Sequence, residues 1–290
     1  MHKYKKHIRE LGSGHHAIIP EQIIAELLLE KYDNNENILI AVGGPGGIGK
    51  SSFCKKLARY LTDSNILRLD DYKTPRAVRK GQNLFGAHPE ANMMDLVEEH
   101  YITAKNGLNF DKPVYNTISG EADMTEFYET KRFTIIDGEI STYKQFREYV
   151  DFAIFIDSDL QTQLNTRLNR DMKERQYTYE KAIATFLHSN LQEFGEFGAE
   201  SKNWADIHLH CHKNYELIFE SIAEEHVELF QKLTGKEFTS YKRDLVPLYA
   251  DFKGSNPVNY QTVVNHLEYI SETGGELNSQ TLQQAISVVE

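Results

Sequence analysis

A chain of 290 residues, 40% hydrophobic and 26% charged, has the balance of an ordinary globular protein and enough apolar material for one large α/β core. Its net charge of −11 excludes a general nucleic-acid surface, which needs clustered Lys and Arg to release counterions, so an anionic ligand must meet a local basic site. Cys54 and Cys211 make neither a disulfide framework nor a zinc spacing, and no stretch reads as a signal peptide or a membrane span, so the expected setting is the cytoplasm, with no membrane partner.

In chain order, Pro20 opens an amphipathic helix with Ile23, Ile24, Leu27 and Leu28 on one face, stopped at Asp33-Asn34-Asn35. Residues 38–42 read as a buried strand, followed by glycines and a helix over about 50–61 with Phe53, Leu57 and Leu61 toward the core. Residues 66–69 form the next strand. Pro89 can start a helix through Leu96, Val97 and Ile102 that closes at Asn106-Gly107, and strands follow at 133–136 and 152–156. Helices over about 160–175 and 180–194 precede a strand at 207–209 and a helix to Leu233, ended by Gly235. This alternation predicts an α/β fold with a mostly parallel sheet and helices on both faces, its ligands at the carboxyl ends of the strands.

The strongest chemical signal lies between the first strand and the following helix. Gly44-Pro45-Gly46-Gly47-Ile48-Gly49-Lys50-Ser51 fits G-x-x-x-x-G-K-[ST], and Ser52 continues it. Glycines let backbone N–H groups converge on phosphate oxygens, and the helix N-terminus adds a favourable dipole. Lys50 can reach the β- and γ-phosphates of ATP, and the Ser51 hydroxyl can ligate Mg²⁺. The loop alone does not separate kinases from other nucleotide hydrolases and switches.

From Gly43 to about Leu209 the chain resembles the phosphoribulokinase/uridine kinase family through GGPGGIGKSS, LDDYKTPRAVRK, HPEANMMDL, KPVYN, IIDGE, RDMKER and WADIHL, in family order. The resemblance implies a P-loop NTPase three-layer sandwich over 37–235, flanked by an extension at 1–36 with the amphipathic helix and a C-terminal helical extension at 236–290. The extensions could pack, dimerise or regulate, and a homodimer is one arrangement they would permit. It also implies transfer of the γ-phosphate of ATP to a hydroxyl of a small-molecule acceptor. Asp70 matches the family's general base, with Asp71 as its immediate rival; a carboxylate at a strand's carboxyl end can take a proton from an attacking hydroxyl. Asp137 matches the second acid, which organises Mg²⁺, although the family commonly has Glu-Gly here and Glu139 could share the task. Arg170 and Arg175 match lid arginines that stabilise the transferring phosphoryl group and close over ATP. A solvated helix face, with Asp171, Lys173 and Glu174 around them, is the alternative.

The acceptor side is read from Lys73, Arg76, Arg79 and Lys80, which correspond to sugar-phosphate-binding basic residues in phosphoribulokinases, and from Tyr115 in KPVYN. These favour a pentulose phosphate. Thr117 stands where many phosphoribulokinases have histidine, and the spacing from Asp70 to Arg76 is one residue short. The uridine/cytidine kinase alternative lacks its base-contacting histidine, since 117–121 offers no candidate. A nucleotide-binding switch without catalysis is the reading from another class. His208, His210 and His212 alternate along a strand and could share a face as metal ligands, though a polar strand face opposite Leu209 and Cys211 is the plainer expectation.

Overall fold

The computed structural model describes residues 18–33, 36–158, 160–212, 215–238 and 273; the C-terminal helical extension expected over 236–290 lies almost wholly outside them. Helix Pro20–Lys31 (α1) leads to strand Ile38–Gly43 (β1), helix Lys50–Tyr60 (α2) and strand Ser64–Arg68 (β2). A short helix Arg76–Gly81 (α3) and helix Met94–Lys105 (α4) precede strands Phe110–Asn116 (β3) and Glu121–Tyr128 (β4). Strands Phe133–Asp137 (β5) and Phe152–Asp157 (β6) are followed by helices Leu160–Lys173 (α5) and Tyr179–Thr185 (α6), a π-helical stretch Phe186–Glu193, and the single turn Phe194–Phe197 (α7). Strands Ile207–Cys211 (β7) and Leu217–Ile222 (β8) and helix Glu224–Thr234 (α8) complete the described elements.

The six-stranded sheet runs β2-β5-β1-β6-β7-β8, with β1 at its centre. All neighbours are parallel except β8, which returns antiparallel beside β7. A central strand buried on both faces needs an unbroken apolar run, which explains Ile-Leu-Ile-Ala-Val-Gly in β1. Period-two geometry then splits its side chains. Ile38, Ile40 and Val42 join a layer with Leu27 and Leu28 of α1, Leu57 of α2 and Phe230 of α8. Leu39 joins Val97 and Tyr101 of α4, Phe146 and Phe194 on the other face. Each fully buried Ile or Leu contributes roughly 1.5–3 kcal/mol relative to exposure.

α1 is therefore part of the sheet's cover, and polar contacts fix it further. Glu21 pairs with Lys56 at 3.2 Å, Lys31 with Glu225 at 2.9 Å, and Tyr32 donates to the Asp151 carbonyl at 2.7 Å.

The structure differs from the sequence expectations in several places. β3 and β4 form an antiparallel hairpin outside the main sheet; its outward residues Met124 and Phe127 are exposed, so β4 lacks the apolar alternation that announces a half-buried strand. The chain after β7 turns back as β8 before its last helix. The helix expected at Pro89 is a 3₁₀ turn, Pro89–Ala91, separated from α4 by extended Asn92, whose backbone N–H bonds to the Pro89 carbonyl. The predicted helix over 180–194 widens into the π-helical stretch, a departure that hydrophobic periodicity does not register.

Candidate active site

At the carboxyl end of β1 the chain turns through Gly44–Gly49 and enters α2. Gly49, at the N-cap, has φ of 90°, the left-handed region that glycine occupies without a Cβ clash. At Gly46 a Cβ would lie 2.0 Å from Arg167 Nη1 and 2.3 Å from Glu139 Oε1, so both side-chain ends would have to move. Lys50 is buried, and its ammonium donates to the carbonyls of Gly44 at 2.9 Å and Pro45 at 2.7 Å. Burial lowers its pKa, while Glu139, Asp137 and Asp70 act to raise it. Asp137, at the end of β5, is pushed upward by burial and drawn back by a hydrogen bond from Ser51 and by Lys50. A buried ammonium beside a glycine-rich turn, with a hydroxyl–carboxylate pair at the helix start, fits a Mg²⁺-nucleotide triphosphate: the loop and Lys50 suit the phosphates, Ser51 and Asp137 the ion.

β2 ends at Arg68, one residue earlier than expected, and Leu69–Tyr72 forms a 3₁₀ turn that sends adjacent acids in different directions. Asp71 is tied to the hairpin, accepting from Lys112 Nζ at 2.7 Å and from the Tyr115 backbone N–H at 3.3 Å. Asp70 faces the cleft, its side chain 87% exposed to solvent yet overlooked by protein charges. Desolvation by the cleft walls would raise its pKa, but Lys73, Lys50, Arg175 and Arg170 outweigh it and hold the carboxyl below the usual range. The sequence left these two acids as rivals, and the structure separates them by their partners.

Lys73 is buried and braced, donating to the Gly86 carbonyl at 2.9 Å and to Asn92 Oδ1 at 2.7 Å, with Asp70 at 3.8 Å. Arg76 donates to the Thr117 carbonyl, and Arg79 bonds the Tyr115 hydroxyl and sits over that ring at 5.4 Å. Among the described residues none of Arg76, Arg79 and Lys80 forms an ion pair, whereas Lys73 lies 3.8 Å from Asp70.

Opposite lies the cluster built by α5. Asp171 is fully buried, accepts from Arg167 at 2.9 Å and from Arg170 at 3.2 Å, and forms an ion pair with Arg175 at 3.2 Å. Arg167 also donates to Asn190 Oδ1 at 2.9 Å and lies 3.7 Å from Glu139, while Asn190 donates to the Gly46 carbonyl at 2.9 Å. Buried Arg167 and Asp171 tie this segment to the phosphate loop through Asn190, while residues 172–176 stay exposed. Asp171, Arg167 and Asn190 were missed as site residues because charge content alone gives no sign of burial. The spacing of Arg167, Asp171 and Arg175, four residues apart each time, was the available signal.

A cleft of about 1110 Å³ gathers Gly46 to Ser52, Asp70, Lys73, Arg76, Tyr115, Asp137, Arg170 and Arg175 on its walls. Gly44 and Pro45 do not line it; they lie beneath, where their carbonyls hold Lys50. The histidine strand does not gather a metal set. His210 is fully buried, as are Leu209 and Cys211, because β7 is covered on both faces, and His208 bonds the Lys202 carbonyl. Among the described residues the only carboxylate–histidine group close enough for a shared ion is Asp206, Glu225 and His226, and Lys31 lies within 3.4 Å of His226 Nε2, an ammonium that disfavours a cation there.

The central parallel strands, the glycine loop and the helix behind it define a P-loop α/β fold. Residues 39–216 match the Phosphoribulokinase / Uridine kinase family, and the chain belongs to that family. Phosphoribulokinase from Synechocystis sp. is 33% identical over 174 residues, covering 59% of this chain and 52% of that one. Uridine kinase from Pasteurella multocida is 28% identical over 181 residues, covering 59% and 84%. Among solved structures, D-glycerate 3-kinase from Cryptococcus neoformans superposes with a TM-score of 0.55 at 12% identity, covering 71% of this chain and all of that one, a likeness of fold. The chain spans about half the length of the curated phosphoribulokinases it matches. Among the described residues no helix is long and apolar enough to cross a membrane.

Proposed function

We propose that the chain is an ATP-dependent kinase that transfers the γ-phosphoryl group to a hydroxyl of a pentose-type acceptor, with a pentulose phosphate favoured. The observation that carries this reading is the cleft in which Asp70, held ionised by four cationic side chains, faces the Lys50 loop, while its neighbour Asp71 is spent on the hairpin. A switch has no need of an exposed carboxylate in the same cleft as its phosphate loop.

In this mechanism the loop amides and Lys50 bind and orient the phosphates, and Asp70 accepts the proton of the attacking hydroxyl. Arg170 and Arg175, fixed by Asp171, steady the charge on the transferring group and limit water at the reacting atoms. Ser51 and Asp137 would hold Mg²⁺, which would supply neutralisation of the phosphate charge. Lys73, Arg76 and Tyr115 bind the acceptor; the unpaired positive charge there favours an acceptor that carries its own phosphate. Uridine stands as the second reading, supported by the match along most of a uridine kinase.

The test is ADP release from Mg-ATP with ribulose 5-phosphate, uridine, ribose and glycerate in turn, with Lys50→Ala as blank. Turnover with ribulose 5-phosphate alone is expected. Turnover with uridine instead would replace the acceptor, and none with any acceptor despite ATP binding would replace the kinase reading by the switch.

A further inference from the structure

The cleft has two walls that sequence separates widely: the phosphate loop from Gly46 onward and the acceptor-side turn 85–88, which reaches the cleft at Phe85 and Gly86. One short stretch touches both. From the π-helical residues Phe186–Glu193, Asn190 reaches the Gly46 carbonyl at 2.9 Å, and Glu193, three residues on, reaches the turn. Glu193 is buried, with Oε1 accepting from the Phe85 backbone N–H at 2.7 Å and Oε2 from that of His88 at 3.2 Å.

The two amides between which Glu193 is stretched bracket Gly86, whose carbonyl accepts from Lys73 at 2.9 Å and from Asn92 Nδ2 at 3.2 Å. Tyr143 donates to the carbonyl of Ala87, and the Phe85 ring lies 4.5 Å from that of His188 in the same π-helical stretch. The Gly86 carbonyl therefore has its direction set from behind by Glu193, and it presents to Lys73 an acceptor that keeps the ammonium 3.8 Å from Asp70. A Cβ on Gly86 would sit 3.3 Å from both Lys73 Nζ and Glu139 Oε2, so a side chain there would press on both. π-helical stretches carry a local strain that ordinary helix would relieve, and they recur where function holds them in place.

We propose that Glu193 is a positioning residue of the acceptor side: by clamping the turn at 85–88 it fixes the Gly86 carbonyl and through it the Lys73 ammonium beside Asp70. The π-helical stretch thereby holds the nucleotide wall and the acceptor wall in one register. This inference rests on the kinase reading above for its catalytic consequence, and on geometry alone for the clamp. With one oxygen on each amide the carboxylate holds both ends of the turn, which a side chain with a single acceptor oxygen cannot do.

The experiment uses the full chain and compares Glu193→Ala with Glu193→Gln, which keeps one acceptor oxygen. Two quantities are read at pH 8: the KM values for Mg-ATP and ribulose 5-phosphate, and backbone amide exchange over 84–92 against 38–53. Glu193→Ala is expected to raise the acceptor KM about tenfold, the equivalent of one charge-assisted hydrogen bond, while the ATP KM stays within about twofold. Exchange should quicken over 84–92 and not over 38–53, and Glu193→Gln should fall between wild type and Glu193→Ala in both readouts. Equal changes in both KM values, a general rise in exchange, or unchanged exchange over 84–92 would each overturn the clamp. If the wild type turned over no acceptor, that failure would belong to the kinase reading, and the exchange pattern would still decide the clamp by the same criteria.

Discussion

Replacing Asp171 by Asn removes one negative charge from among three guanidinium groups while keeping the side chain's shape. Its carboxylate is fully buried, and Arg167, its closest partner, is 5% exposed, so the Arg167 charge cannot recover solvation in place. Breaking a buried pair on one side costs about 3–5 kcal/mol. Arg167 keeps Asn190 at 2.9 Å and Glu139 at 3.7 Å, which places the loss at the lower end. Arg170 and Arg175 are 27% and 44% exposed and add little, since solvent screens them. The expected cost is therefore about 3 kcal/mol at pH 7, measured by equilibrium urea unfolding. The sign with pH follows from the depressed pKa of Asp171: desolvation raises it, but the three arginines prevail. The stabilisation is present above the unfolded value of about 4 and is lost as pH falls through the lower folded value, so the gap between wild type and Asp171→Asn should close in strong acid. A loss below about 1 kcal/mol at pH 7, the range of an exposed ion pair, would refute the claim that this cluster is a buried anchor.

Asp70→Asn should lower kcat by about 10²–10⁴-fold with ATP affinity retained, whereas Asp71→Asn should act chiefly on stability by freeing Lys112 and the hairpin; steady-state kinetics beside thermal unfolding separates the two. Gly46→Ala should sharply weaken ATP binding in calorimetry, because its Cβ would displace Arg167 and Glu139 from the loop. Glu193 has its carboxyl pushed by burial to about 7 from an ordinary value of 4.5, so its share of stability is present below the ordinary value and is lost as pH rises through 7. Wild type should consequently lose roughly 3 kcal/mol relative to Glu193→Gln between pH 4 and pH 8, read from urea midpoints across that range.

The parts of the fold legible in the sequence were those governed by burial on both faces. β1, β5 and β6 are continuous apolar runs between turn residues, and the phosphate loop is punctuated by glycines whose backbone angles demand them. The hairpin was illegible because β4 carries Glu121, Asp123 and Glu126 among exposed apolar residues, held by its ladder to β3 and by Lys112 rather than by a buried face. Within the site, residues with a motif around them were visible: Lys50, Ser51, Asp70, Asp137, Arg170 and Arg175. Asn190 and Glu193 act through burial and through partners as far as 144 residues away, which no local pattern encodes, whereas Arg167 and Asp171 showed only their four-residue spacing. The basic cluster was read as a group, yet its members differ: Lys73 is braced from behind, whereas Arg76 and Arg79 hold the hairpin side.

The central claim is transfer, and the most direct test follows the phosphoryl group itself. ATP labelled with ³²P at the γ position is incubated with Mg²⁺, the full chain and ribulose 5-phosphate, and the label is tracked by chromatography. The account predicts label in a sugar bisphosphate, at a rate cut at least about a hundredfold by Asp70→Asn. Label released only as inorganic phosphate, at a rate indifferent to ribulose 5-phosphate, uridine and Asp70 alike, would contradict it.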